Sequence, residues 1–487
     1  MNRYDMVLCY DLPIGRLLAF CCDIHACYEQ GNRAMKRRDF LKVAGGAAGG
    51  VALAGLFDDL VNASEAKTAD IRNLFESDDA EVLALTQRVF DKCILEKLRP
   101  PAEPLLHTWV QPGGTYYMGQ WIWDTMFVVD LLSILPDKKQ VIRDIFQNYW
   151  DFQDRWNQRM PAYARDMVTV AIKTAPQEVR QFSQIPILAW GVERVYRRNR
   201  DEDLLKQCLG RLERFHDWFW RERDVTNIGL IAIGSYSGVL QHAKWETYDY
   251  DCSMDTLKLT PHPTRKGPNE GAWYGDICVT GNTAYLILAE RSLARLATIM
   301  GDKAMAARRA PRIEKAVKAM RDHMWDEKAG TFLAVNRDSL AKIPVATVGS
   351  WIPLAAGVPT PAMARRMAEV LASPAWQTPL PVPTVDRTDK RWKSSDFWRG
   401  DVWPSTNYQI ASGLAAYGHK DLAADIADKT IANAIKQGIS EHYDSISGKP
   451  LGIKDYCMSC TLVTLMLDGL AKKHKLQPNI NPERTKR

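Results

Sequence analysis

From residue 64 onward, apolar positions recur with the 3.6-residue period of amphipathic helices, and period-two alternation is scarce. After Tyr285, Leu288, Ala289, Ser292, Leu293, Leu296, Ala297 and Met300 fall on one face while Glu290, Arg291 and Arg295 take the other, which predicts a half-buried helix. The same spacing recurs at Leu205, Cys208, Leu209, Leu212, Phe215 and Phe219, at Met363, Ala364, Met367, Val370 and Leu371, and at Ala423, Ile426, Ala427, Ile431 and Ala434. Further helices are predicted near 80–97, 124–135, 138–157, 184–198, 302–324, 404–417 and 459–472. Joints as short as residues 198–201 and 418–421 make consecutive helices antiparallel neighbours, so the chain is read as a series of α-hairpins.

Longer segments rich in Pro, Gly and aromatics interrupt this series at 99–121, 225–280, 331–350 and 374–403, and the conspicuous motifs lie in or beside them. That arrangement predicts an all-α fold, a closed ring of α-hairpins whose long loops gather over a central cleft. An open superhelix of helix pairs is the alternative, and the lack of a fixed-period repeat argues against a regular solenoid. No low-complexity linker divides residues 70–475, so 64–487 is read as one domain.

Composition adds two constraints. The 16 Trp and 17 Tyr in 487 residues exceed ordinary packing needs and hint at a sugar-lined cleft. The net charge of +6 is spread through interleaved acids and bases, with basic clusters only at Lys36-Arg37-Arg38 and in the 484–487 tail, so nucleic acid is not an expected partner.

Met35-Lys36-Arg37-Arg38-Asp39-Phe40-Leu41-Lys42 followed by a small-residue apolar stretch at 43–57 reads as a twin-arginine export signal, with cleavage expected after Ala63. The stretch is too short and Gly-rich for a membrane span. Residues 1–63 are therefore set aside as an extension plus signal, Met35 marking where a signal would start. The expected location is periplasmic or secreted, the expected partner the twin-arginine export machinery, with no stable membrane span after processing. Six cysteines follow residue 63 without a disulfide framework, and Cys457-Met458-Ser459-Cys460 lacks a second ligand pair for zinc, so packed thiols are expected.

Two acidic, aromatic segments carry the candidate chemistry: Tyr248-Asp249-Tyr250-Asp251-Cys252-Ser253-Met254-Asp255 and Ser440-Glu441-His442-Tyr443-Asp444. Cleaving a sugar acetal takes one acid to protonate the leaving oxygen and one carboxylate to activate water or attack, and aromatic neighbours both wall a sugar and keep an acid protonated. Gly234-Ser235-Tyr236-Ser237-Gly238 has Tyr236 where a nucleophile elbow needs its nucleophile, and reads as a turn. His242, His262 and His442 are too scattered for a metal site, and no cofactor is expected. His442 either orients the loop of Glu441 or faces solvent.

Gly119-Gln120-Trp121-Ile122-Trp123-Asp124-Thr125-Met126-Phe127, Ser183-Gln184-Ile185-Pro186, Phe397-Trp398-Arg399-Gly400-Asp401-Val402-Trp403-Pro404 with Asn407-Tyr408, and Glu441-His442-Tyr443-Asp444 occur in that order. Together, across about 105–470, they resemble the trehalase and processing α-glucosidase clan of six-hairpin toroid glycosidases, which includes bacterial glucosylglycerate and mannosylglycerate hydrolases. The resemblance implies an α/α toroid of about six hairpins. It implies sugar contacts from Trp121, Trp123, Asp124, Gln184 and Tyr443, pocket walls from Phe397, Trp398, Gly400 and Trp403, and Arg399 as a polar contact or brace. It implies Asp255 as general acid and Glu441 as general base of an inverting displacement, with carboxyl groups about 6.5–9.5 Å apart.

The segment before Asp255 departs from the clan's pattern at Asp251 and Ser253, and a rival register from Trp245-Glu246-Thr247 makes Asp249 or Asp251 the acid. The bland alternatives are an exposed acidic loop at Asp255 and a turn beginning at Glu441. The expected substrate is a small α-glucoside or related α-glycoside. Gly113-Gly114 is followed by Thr115-Tyr116-Tyr117-Met118 instead of the trehalase type's charged residues, which argues against trehalose. The alternatives are a lyase or unsaturated-uronyl hydrolase on a similar toroid, and a sugar-binding protein that has lost its acid.

Overall fold

The computed structural model describes residues 70–114, 117–157, 164–172, 182–235, 244, 246–247, 251–261 and 273–479. The chain divides into two units, Met1–Ala66 and Lys67–Arg487. The export-signal reading of residues 35–63 and the alternative acid Asp249 both lie outside the described residues.

Twelve α-helices alternate between an inner and an outer layer among the described residues. The inner set is α2 (Ile122–Leu132), α4 (Leu188–Asn199), α6 (Thr280–Ile299), α8 (Ile352–Ala356), α10 (Pro404–Ala416) and α12 (Thr461–Leu467), the last preceded by a 3-10 turn at Cys457–Cys460. Each packs on the next, and the Cys457–Cys460 turn packs back on α2, which closes the ring. The outer set is α1 (Ala80–Arg88, continuing as a π-helix over Val89–Ile94), α3 (Lys139–Asn157), α5 (Glu202–Glu222), α7 (Lys303–Ala319), α9 (Pro361–Leu371) and α11 (Lys420–Gln437). The fold is the all-α toroid expected from the helical periods. Its sixth hairpin joins the two ends of the ring, α1 with its π extension backing the Cys457–Cys460 turn.

Position in the ring explains the patterning. Every residue of α2 is buried, because an inner helix meets neighbours on all sides, whereas the outer α5 keeps a polar face. Tight joints end in the signals that stop and restart helices: Arg200 takes a left-handed conformation after α4, and the Asp201 carboxylate accepts the Leu204 N–H to cap α5.

The long segments carry short paired strands that their sequence did not announce. Gln120–Trp121 (β1) pairs with Ala171–Ile172 (β2); Gly234–Ser235 (β3) and Leu259–Pro261 (β4) flank Trp273–Gly275 (β5); Ser440–Tyr443 (β6) pairs with Pro450–Lys454 (β7). Side chains tie the long segments to one another: Tyr117 bonds Glu441, Thr347 bonds Asp251, and Arg399 bonds Asp255. The predicted helix at 459–472 is shorter than expected, its regular part ending at Leu467. No helix among the described residues is long and apolar enough to cross a membrane.

Candidate active site

Glu441 owes its direction to a bulge. Helix α11 ends at Gln437, Gly438 reverses the chain at φ +90°, and β6 then pairs with β7 through Ser440 with Lys454 and His442 with Leu451, the register slipping at Glu441. The carboxylate is buried, 4% exposed, and accepts the Tyr117 hydroxyl at Oε1 and the Ile453 N–H at Oε2, each at 3.0 Å. Burial raises its pKa, while the His442 charge and the two hydrogen bonds pull it back down. Glu441 therefore lies in a strand, not at the start of a turn.

Asp124 opens α2 one residue after Trp123, whose N–H is accepted by the Gln184 side-chain oxygen at 2.9 Å. Gln184 thus supplies the cap that α2 lacks from its own chain. The Asp124 carboxyl is buried, accepts the Tyr456 hydroxyl, and is pushed up to about 7, chiefly by burial, with the Glu441 charge adding and the Tyr456 bond opposing. Asp124, Glu441 and Tyr456, all buried, and the half-buried Tyr117 form one acidic cluster. Tyr117 and Tyr456 were missed in sequence: one sits in an irregular loop and the other beside a cysteine pair. Cys457 and Cys460 are buried, and burial pushes their thiols far up, away from the thiolate form.

An aromatic stack adjoins this cluster. Trp398 lies flat on Trp403 at 4.4 Å between ring centres, Trp403 lies on the His442 imidazole at 4.8 Å, and Trp123 faces Trp398 at 6.0 Å. Phe397 meets Trp398, Trp403 and His442 edge-on. A cavity of about 550 Å³ is lined by Phe397, Trp398 and Arg399 together with Lys390, Arg391, Lys393 and Asp396. Trp121 packs apart from the stack, with Val170, Ala171, Phe182 and Tyr117.

Three expected sugar contacts have other work. Trp403 is sandwiched between Trp398 and His442 and does not line the cavity. What comes close to Gly400 is the Lys393 carbonyl oxygen, 2.4 Å from where a Cβ would sit, so this glycine permits loop packing instead of approach to a sugar. Tyr443 is fully buried, its hydroxyl accepting the Ser440 N–H at 3.0 Å and donating to the Gly438 carbonyl at 2.8 Å, a clamp on the turn that leads to Glu441. Tyr443→Phe is accordingly expected to lower stability by about 1–3 kcal/mol, the cost of stranding buried backbone groups, with KM unchanged. Thermal unfolding and steady-state kinetics on the variant check both halves.

Asp255 follows a 3-10 turn at Cys252–Met254 and is about one-third exposed. Its two oxygens take parallel bonds from the Arg399 guanidinium at 2.6 and 2.8 Å, so Arg399 is the brace of this carboxyl. Of the two rival acids, Asp249 lies outside the described residues and Asp251 has partners of its own. Asp251 caps the 3-10 turn and accepts the Thr347 hydroxyl at 2.8 Å, its pKa raised by burial. Glu246 is locked in a buried ion pair with Arg223 and accepts the Ser183 and Gly234 N–H groups. Asp255 and Glu441 are linked through Arg399, the Trp398–Trp403–His442 stack and the 441–442 peptide. Among the described residues, no group of three or more His, Cys, Asp and Glu side chains is placed to hold a metal ion.

Residues 116–459 match the family described as the mannosylglycerate hydrolase MGH1-like glycoside hydrolase domain. The chain is 24% identical over 420 residues to the mannosylglycerate hydrolase of Rubrobacter radiotolerans, covering 74% of this chain and 93% of that one. It is 23% identical over 415 residues to the mannosylglycerate hydrolase of Thermus thermophilus, covering 72% and 94%. A solved GH63 mannosylglycerate hydrolase from Thermus thermophilus, in complex with Tris and D-glycerate, superposes with a TM-score of 0.63 at 19% identity over 78% of this chain and 98% of that one. The neutral trehalase of Saccharomyces cerevisiae shares the fold at a TM-score of 0.56 and 13% identity, covering 77% of each chain.

Proposed function

Because the chain belongs to the mannosylglycerate hydrolase MGH1-like glycoside hydrolase family, we propose that it is an inverting hydrolase of a small α-glycoside whose leaving group carries a carboxylate, a glycosyl-glycerate in type. The observation that carries this reading is the cavity beside Asp255, lined by four cations, Lys390, Arg391, Lys393 and Arg399, of which the last three pair with Asp389, Asp396 and Asp255. Cations set in a cleft wall favour an anionic group at that end of the substrate. The two bacterial relatives, mannosylglycerate hydrolases by name, agree with such a leaving group.

In this mechanism Glu441 takes a proton from water as its oxygen bonds the anomeric carbon, and Asp255 gives its proton to the glycosidic oxygen as that C–O bond breaks. The product sugar leaves with inverted configuration, and the aglycone leaves as an alcohol. Burial keeps Glu441 basic enough to accept a proton, and Tyr117 and the Ile453 N–H aim it. Arg399 has to release one oxygen of Asp255 for that oxygen to carry the proton. Trp398 and Phe397 give the sugar flat apolar walls.

The test is a panel of α-mannosyl- and α-glucosyl-glycerates beside neutral α-disaccharides, followed by NMR of the first-formed anomer. A β-anomer product with a preference for the glycerates is expected; retention of the α-anomer, or preference for neutral disaccharides, overturns the mechanism or the leaving-group assignment respectively. The basic, apolar segment at 35–57 supports twin-arginine export as part of the same proposal. Replacing Arg37 and Arg38 by Lys should leave the protein in the cytoplasmic fraction.

A further inference from the structure

We propose that His442, fixed by Asp401, is a positioning residue for Glu441, turning and holding the carboxylate that accepts the proton of water. The inference rests on the assignment of Glu441 as base and adds a second pair of residues behind it.

Three observations converge on His442. The bulge lies in β7, where Gly452 and Ile453 oppose the single residue Glu441, and the side chains of Glu441 and His442 both reach Gly452 although neighbouring strand residues ordinarily point to opposite faces. A Cβ on Gly452 would sit 2.5 Å from Glu441 Oε2 and 2.7 Å from His442 Nε2, so the two atoms flank the same point of β7. The imidazole cannot turn away, because Trp403 covers its face at an interplanar angle of 18° and Phe397 closes its edge.

Behind the ring, His442 Nδ1 lies 2.8 Å from Asp401 Oδ2, and the Asp401 side chain is fully buried. Neither atom makes a well-aligned hydrogen bond there, so the contact works mainly through charge. A buried carboxyl beside an imidazole is costly as a lone anion, and a proton on His442 would relieve that cost. When that proton is on His442, its positive charge faces Glu441 and favours the ionised base, the direction in which His442 acts on Glu441. The groups facing this unit are Tyr117, Asp124 and Tyr456 around Glu441, and Asp444 behind Asp401. Asp444 is itself held far down by Ser394, Ser395 and Ser447, so it stays anionic and constant across the working pH range.

The experiment compares His442→Gln and Asp401→Asn with wild type, reading kcat and KM against pH on α-mannosyl and α-glucosyl fluoride, with a thermal melt on each variant. In both, the acid limb of the kcat profile should move to higher pH by about one unit, the size expected for losing a cation near a carboxylate, while KM changes less than twofold. A uniform loss of kcat with an unmoved acid limb means that His442 only packs, and overturns the proposal. If His442→Gln does not fold, Asp401→Asn alone decides, since it keeps shape and loses only charge. Glu441→Gln run alongside separates the two levels: full activity there overturns the assignment of the base, whereas its loss together with an unmoved limb in the other variants overturns only the role of His442.

Discussion

Glu441→Gln is expected to lower kcat by about 10²–10⁴-fold on every substrate, including glycosyl fluorides, because the amide cannot take a proton from the attacking water. Asp255→Asn should behave differently. It should lose a similar factor on glycosides with poor alcohol leaving groups but far less on a fluoride, which leaves with little protonation. The contrast arises from placement. Glu441 is buried with both oxygens aimed by Tyr117 and Ile453, while Asp255 stands partly open, paired with Arg399 of the cavity wall. Steady-state kinetics of the two variants on glycoside and fluoride check the assignment. Equal losses for both variants on the fluoride would deny Asp255 the acid's role.

Asp124→Asn is expected to stabilise the protein at about pH 8 while damaging activity. Burial pushes the Asp124 carboxyl up to about 7, against an unfolded value near 4. The folded state therefore holds a proton that the unfolded chain releases, so stability falls as pH rises from about 4 to about 7 and stays low above that. The cost reaches about 4 kcal/mol at alkaline pH, and the neutral amide escapes it while still offering an oxygen to the Tyr456 hydroxyl. Thermal melts should put the variant several degrees above wild type near pH 8, with the gap closing toward pH 4. A gap that does not change with pH would show that Asp124 carries no ionisation penalty. A buried acid kept beside Glu441 despite that penalty is the mark of a group retained for function.

The helical architecture was legible because each outer helix carries a polar face, and because Gly, Asp and Asn mark the joints, as at residues 198–201 and 418–421. Strands of two residues escaped notice since they are too short to show alternation, as with β1 against β2. The motif residues Asp124, Gln184, Phe397, Trp398 and Glu441 were singled out by order and type, but the Gln184 cap on α2 and the Tyr456 bond to Asp124 were not foreseen. Nothing in the run from Ser440 to Asp444 announces the bulge of β7 opposite Glu441, or the clamp that withdraws Tyr443 from the site. The Asp255–Arg399 pair spans 144 positions, and opposite charges that far apart in sequence give no sign of meeting. Burial, which sets the chemistry of Asp124, is likewise a property of the closed ring and of no local stretch.

The sixth hairpin, built from both ends of the ring, governs when the catalyst comes into being. Tyr456 reaches Asp124 across 332 positions, Tyr117 reaches Glu441 across 324, and Phe75 pairs with Pro478. A nascent chain on the ribosome therefore stays an inert arc until its final segment emerges and latches onto the first. A nick or premature stop in the 457–467 stretch should silence hydrolysis even though every proposed catalytic carboxylate has already been made.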